Sequence, residues 1–269
     1  IEPLRGEPGP RCRVTMLDRG WPLDVSPARD FDDDDRLAVI GCKAFIDGTL
    51  GSRTARMLAP YADAPGERGT LVELALDGHL EDWARGVLDA GLSPAMHAIG
   101  DEAVRMALDV HDATGRSERL RIEHGQQIDP SDVERCADTW VSMQPLHKAD
   151  DARCLEQRLG RARLEGSFAF RVLLDAGARL AFGTDWPVVP PDPIDTMRVA
   201  ITGVDSSGAV FLPEHNVTPL EALRASTVDA AQCLGMDDTG VLRIGAAGDV
   251  TVLDMDPLEC DWYSRKPCA

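Results

Sequence analysis

Long apolar runs are missing from this 269-residue chain: no window approaches the roughly 18 consecutive apolar residues that a membrane helix needs. The start, Ile1-Glu2-Pro3-Leu4-Arg5, has no apolar signal-peptide core, so neither secretion nor membrane insertion is supported. Positive charge is scarce as well. Lys and Arg number 28 against 46 Asp and Glu, a formal net charge of −18, and the lysines are Lys43, Lys148 and Lys266 alone. That balance argues against a phosphate-tracking surface, and with it against a nucleic-acid partner. The 7 cysteines (Cys12, Cys42, Cys136, Cys154, Cys233, Cys260, Cys268) are odd in number and contain no C-x-x-C pair. A disulfide framework and a thiolate zinc site are therefore poor readings, and a reducing, cytoplasmic compartment is the expectation. No Gly-rich phosphate loop is present, which leaves a nucleotide-binding open sheet without its signature.

What is there describes an ordinary globular chain: 43% hydrophobic and 28% charged residues, with mean hydropathy −0.19. Its length suits one large core or two modest ones. It begins without Met and enters at once into Pro/Gly-rich sequence (Pro3, Gly6, Pro8, Gly9, Pro10), and so reads like a segment of a longer protein. Short β-type runs then alternate with helical patterns. Strands are expected at Arg13–Leu17, Val39–Ile46, Leu92–His97, Leu120–His124, Trp140–Gln144 and Arg179–Gly183. Leu80, Trp83, Ala84, Val87 and Leu88 mark one buried helix face that Gly91 ends. Val104, Ala107, Leu108 and His111 repeat the pattern before Gly115, and Ser131 with Glu134 suggests a capping box. Such alternation implies a parallel sheet with right-handed crossovers, although periodicity does not separate a barrel from an open sheet. Thr218-Pro219-Leu220-Glu221 opens a helix expected to run to Leu234. Gly240–Ile244 and Asp249–Leu253 then read as two strands of a small β module, which divides the chain into residues 1–238 and 239–269. Asp32–Asp35 reads as a solvated loop, since it lacks the Gly and distal Glu of a calcium loop.

The chemistry-bearing candidates lie at strand ends. Lys43 interrupts an otherwise apolar strand, His97 and His124 close the next two, and Asp185 follows the last. In a parallel β/α barrel the C-terminal strand ends are where reacting groups sit. Two imidazoles and a carboxylate there suit a borderline divalent metal such as zinc, which makes water acidic enough to attack a carbonyl carbon near neutral pH. Each residue also has a plainer reading. A strand-end histidine is often only packed, Lys43 can snorkel to the surface, and Asp185 can cap a turn.

The contexts of these residues carry a resemblance. Lys43-Ala44-Phe45-Ile46-Asp47-Gly48-Thr49-Leu50-Gly51-Ser52-Arg53 resembles the K-x-x-x-D-G-x-L-G-S-R segment of amidohydrolases of the YtcJ-like type. The likeness continues in His97-Ala98-Ile99-Gly100-Asp101, Arg121-Ile122-Glu123-His124, Met143-Gln144-Pro145-Leu146-His147 and Phe182-Gly183-Thr184-Asp185-Trp186-Pro187-Val188. Each motif alone is weak; their ordered series is specific, and it covers nearly the whole chain after Asp35.

The resemblance implies an α/β fold, a distorted (β/α)8 TIM-type barrel with one or two metal ions, zinc first, at its mouth. It implies that Lys43 takes up carbon dioxide to become a metal-ligating carbamate, a role that desolvation of its amine favours. His97 and His124 would be imidazole ligands. Asp185 would contact metal and move protons between water and the leaving amine. His147 and Arg53 would either orient substrate or be structural. The reaction implied is hydrolysis of a C–N bond, of amide or N-formyl type, in a small organic substrate.

The sequence departs from the family in one respect. No His-x-His occurs, and no histidine precedes His79, which reads as an exposed residue at a helix start. About six of eight barrel strands are visible, and the simplest account places the others, with part of the β module, upstream. Lys43, His97 and His124 could still hold one metal with water as fourth ligand and Asp185 nearby as base. The alternative is a catalytically silent barrel fragment that acts only as a binding or structural piece. Its unpaired sheet edges would invite association, so a homo-oligomer stays open beside the small-molecule substrate.

Overall fold

The computed structural model describes residues 9–18, 20–29, 36–116 and 118–268. The acidic run Asp32–Asp35 and the start through Pro8 lie outside the described residues. Six parallel strands form one sheet in chain order: β1 (Cys12–Leu17), β2 (Leu37–Phe45), β3 (Ser93–Ala98), β4 (Arg121–His124), β5 (Trp140–Met143) and β6 (Arg179–Phe182). All six expected strands are present, with ends shifted by one or two residues. The sheet is not closed: β1 and β6 are its two edges. Ten helices accompany it among the described residues. They are α1 (Ser26–Arg29), α2 (Glu73–Asp77), α3 (Leu80–Asp89), α4 (Asp101–Ala113), α5 (Pro145–Asp151), α6 (Leu155–Leu159), α7 (Phe170–Asp175), α8 (Pro193–Thr202), α9 (Pro219–Ser226) and α10 (Val228–Cys233). None is long and apolar enough to cross a membrane.

Register divides the sheet into two chemically different faces. Ala44, Met96, Ile122, Val141 and Leu180 are aligned across five strands, and all five are buried in the apolar core. That face packs against Trp83, Val87, Val104 and Leu108 of α3 and α4, the residues whose helical spacing marked a buried stripe. Because side chains alternate along a strand, the next residues project oppositely. One such row is Phe45, His97, Glu123, Ser142 and Ala181; another is Lys43, Ala95, Arg121, Trp140 and Arg179. The second face therefore carries the charged and ring-bearing groups.

Three local expectations are corrected. Ser131 and Glu134 form no capping box: Pro130–Cys136 is a 3-10 turn, started one residue earlier by the Asp129 carboxylate, which accepts the Ser131 N–H at 3.0 Å. The helix expected from Thr218 to Leu234 has its capping box, but it breaks at Thr227, whose hydroxyl donates back to the Leu223 carbonyl at 2.6 Å. Residues 240–244 and 249–253 form no strands. Alternation alone cannot make a strand without a neighbour to pair with, and Leu242, Ile244, Val250 and Val252 stay exposed. The tail is instead anchored through buried Trp262, whose carbonyl accepts from Arg198 at 3.1 Å, and through Lys266, which pairs with Asp192 and Asp195 on α8 and its cap. All 7 cysteines are free thiols.

Candidate metal centre

Parallel pairing brings every strand's C-terminal end to one rim, and the loop after β2 is the first to brace it. Asp47 is 2% exposed, and its carboxylate accepts the backbone N–H groups of Ile99 (3.0 Å), Gly100 (2.8 Å) and Arg56 (2.8 Å). Burial pushes this carboxyl up to about 7, against the pull of those three donors. Asp101 extends the brace by accepting the Leu58 N–H at 2.7 Å. Gly100 is required because a Cβ there would lie 2.0 Å from the Arg56 carbonyl oxygen. The Gly48 carbonyl faces His97 Nε2 at 2.9 Å, and a carbonyl can only accept. Nε2 therefore carries the proton, and Nδ1 is left as a buried lone pair without a hydrogen-bond partner.

The His97 ring lies tilted 4.6 Å from the Phe45 ring and meets the His124 ring edge-on at 4.5 Å. His124 ends β4 with φ at 78°, which breaks the strand's alternation at the residue that must join the rim. His147 follows β5 on the first turn of α5, where Pro145 starts the helix, and its ring stacks 5.9 Å from that of His124. Asp185 lies just beyond β6 with φ at 57°, and its Oδ2 is 3.9 Å from His147 Nε2. One ligand atom from each of His124, His147 and Asp185 lies within 4.8 Å of the others. The His124 Nδ1 and His147 Nε2 atoms are also buried without partners. Two imidazoles and a carboxylate at this spacing fit a divalent cation bonded at ~2.0–2.2 Å with little adjustment.

Burial dominates the titration of all three rings. It lowers His97 to about 4, the Lys43 charge adding to that and the Gly48 hydrogen bond opposing it. Burial holds His124 well below the usual imidazole range, helped by the charges of His97, Lys43 and His147 and opposed by Gln144. His147 is lowered by burial against the attraction of Asp185 and Asp150. Neutral rings are what metal ligation needs. The linkage has a testable sign. A His97 pKa that falls from 6.5 to about 4 on folding gives stability that is complete above pH 6.5 and lost as pH falls toward 4. Relative to a His97→Gln variant, the metal-free protein should lose about 3 kcal/mol between pH 7 and pH 4 in urea melts. A pH-independent difference would contradict this burial.

The sequence-predicted residues are distributed as follows. His97, His124, His147 and Asp185 line one cleft of about 290 Å³, with Thr49, Leu50, Gln126, Asp150 and Asp151. Lys43 is half-buried on the same sheet face, its Nζ 5.1 Å from the Phe45 ring centroid, and its charge is felt by both His97 and His124. Arg53 does not line the cleft: Asp63 holds its guanidinium through two bonds, of 3.0 and 2.9 Å. That bidentate pair is a structural contact, one of the two roles expected of Arg53. His79 stands at the N-cap position of α3 without a side-chain capping bond, and its ring stacks on Trp21 at 5.4 Å. Sequence reasoning missed the brace of Asp47 and Gly100, although an Asp-Gly pair just after a strand was a usable signal.

Comparison with known proteins identifies the family and the fold. Residues 13–265 match the amidohydrolase family. Protein LONG AFTER FAR-RED 3 of Arabidopsis thaliana is 34% identical over 79% of this chain, and the putative amidohydrolase YtcJ of Bacillus subtilis is 32% identical over 81%. An N-substituted formamide deformylase of Arthrobacter pascens is 27% identical over 63% of the chain and 33% of its own length. The crystal structure of an uncharacterized metal-dependent hydrolase from Pyrococcus horikoshii superposes with a TM-score of 0.78, at 33% identity, over 86% of this chain and 47% of that one. The chain spans 38% and 42% of the lengths of the first two relatives. Its open six-stranded sheet is accordingly an incomplete β/α barrel of TIM type. Fold, ordered motifs and family match together show that this chain belongs to the amidohydrolase family.

Proposed function

We propose that this chain carries the water-activating centre of a hydrolase that cleaves C–N bonds, of amide or N-formyl type, in small organic substrates. The observation that carries the reading is the convergence of His124, His147 and Asp185 within 4.8 Å at the C-terminal rim of a parallel sheet. Support comes from a relative whose name describes an N-substituted formamide deformylase. These three side chains would hold a divalent cation, zinc being the first candidate, with the unpartnered Nδ1 of His97 and a carbamylated Lys43 as further donors. Such a cation polarises a carbonyl and acidifies water.

The chain's own groups account for the remaining steps. Asp185 takes the proton of the attacking water and returns it to the leaving nitrogen. His147, whose Nε2 lies 3.9 Å from that carboxylate, would share the cation with it and so hold Asp185 in place. The Gly48 carbonyl fixes the His97 tautomer, and Leu50 and Ile99 supply apolar walls that hold the substrate's body. The site faces the reducing, cytoplasmic setting that the cysteine pattern suggests.

The test is metal analysis of protein expressed with zinc, followed by hydrolysis of N-alkyl- and N-arylformamides. One or two equivalents of metal and measurable deformylation are expected. Asp185→Asn should lower kcat/KM by about a hundredfold or more. Metal at background with no hydrolysis would favour the other reading, a silent barrel piece, which the open edges β1 and β6 support.

A further inference from the structure

We propose that the cleft selects its substrate by charge: it takes amides whose amine portion is cationic or uncharged and rejects those bearing a carboxylate, with Asp150 and Asp151 setting the choice. The inference rests on the hydrolase reading of the same cleft and names the substrate class within it.

The part of the cleft wall that α5 supplies beyond His147 is acidic. Asp150 and Asp151 form the last turn of α5 and line the cleft, while no lysine or arginine lines it among the described residues. The cations nearby are engaged elsewhere. Arg53 and Arg158 both pair with Asp63, and Arg158 also donates to the Gly51 carbonyl at 3.0 Å. Lys148 is fully buried, donating to the Leu212 carbonyl at 3.0 Å and to Asn216 Oδ1 at 3.3 Å. Arg153 reaches Asp150 at 3.6 Å, with its side chain 68% exposed to solvent. Lys43, whose charge reaches His97 and His124, does not line the cleft, and none of the described residues that do line it is a cation able to pair with a substrate carboxylate.

Two further observations point to a ligand and to its character. His124 lines the cleft and is 5% exposed, and its Nδ1 is buried without a hydrogen-bond partner. The remaining walls are apolar, from Leu50, Ile99, Val188 and Val189. Asp151 is anchored by the Gln126 amide, and burial raises its carboxyl, a penalty that a neighbouring cation would relieve. An aliphatic or aromatic body with a positive or neutral end matches both surfaces. Away from the cation at the rim, a carboxylate on the amine portion would meet the like charges of Asp150 and Asp151 with no cationic side chain in the wall beside them.

The test uses the zinc-supplemented protein with three formamides of equal chain length: the mono-N-formyl derivatives of a diaminoalkane, an alkylamine and an ω-amino acid. Binding is read by ligand-observed NMR and hydrolysis by amine release. The cationic compound should bind at least about tenfold more tightly than the anionic one, with the neutral one between. Added salt should shrink that gap, and Asp150→Asn with Asp151→Asn should reduce it to about threefold or less. Equal or tighter binding of the anionic compound, or a gap insensitive to both salt and substitution, overturns charge selection. Binding in the expected order without hydrolysis overturns the hydrolase reading and leaves selection standing; failure of all three to bind overturns both.

Discussion

Replacing His124 with alanine is expected to abolish stable metal binding and to lower formamide hydrolysis by about three orders of magnitude or more. His124 is the imidazole shared by both donor arrangements that the rim offers. It belongs to the compact group with His147 and Asp185, and its ring also lies 4.5 Å from His97, on the side of Lys43. Removing it therefore leaves each arrangement one ligand short. The companion variants separate the two. If the cation sits with His147 and Asp185, His147→Ala should release it while His97→Ala retains most of it. If it sits with Lys43 and His97, the order reverses. Metal-to-protein ratios after dialysis, with far-UV circular dichroism to confirm folding, make the measurement. A full metal complement in His124→Ala would refute the centre outright.

Those two arrangements also show how far the sequence could be read. The rule that polar groups cluster at the C-terminal ends of parallel strands selects His97, His124 and Asp185, and the structure places all three on one cleft. It passes over His147, which lies four residues beyond β5 on a helix turn, where only the family resemblance singles it out. Its arrival at 3.9 Å from Asp185 depends on the α5 start at Pro145 and on the left-handed backbone at Asp185, neither visible in a hydropathy pattern. Arg53, expected either to orient substrate or to be structural, shows a contact that the sequence does not reveal. It stands in a specific motif, yet its charge is answered by Asp63, ten residues away in an irregular loop that no periodicity marks.

The strands were legible because buried parallel strands read as short apolar runs, and the helices because α3 and α4 each show one apolar stripe. The tail was misread because residues 240–253 alternate correctly but have no pairing neighbour among the described residues. Local pattern states what a segment can do, and tertiary partners decide whether it does. The same distinction applies to the Asp47 brace. Its acidic residue and glycines could be read, but the contact it makes spans three separate segments.

The sharpest test of that brace is Gly100→Ala, which should destabilise the protein by about 3 kcal/mol and lower its melting temperature by roughly 6–12 °C. Gly100 has φ at −77°, so alanine meets no backbone penalty there, and the cost is steric. A Cβ would lie 2.0 Å from the Arg56 oxygen, 2.5 Å from its carbon and 2.7 Å from its nitrogen, all backbone atoms that cannot rotate aside. The same Arg56 N–H and the Gly100 N–H are both held by Asp47 Oδ2 at 2.8 Å. Displacing either segment therefore costs hydrogen bonds to a buried carboxylate as well as packing. Asp47, which holds both segments, is followed by Gly48, whose carbonyl sets the His97 tautomer, so metal affinity should fall together with stability. Gly51→Ala is the control: Gly51 lies in the loop after β2, with nothing within 4 Å of the added methyl, and the change should alter stability by no more than about 0.5 kcal/mol. Equal melting temperatures for the two variants would show that the close approach of residues 56 and 100 does not hold the rim together.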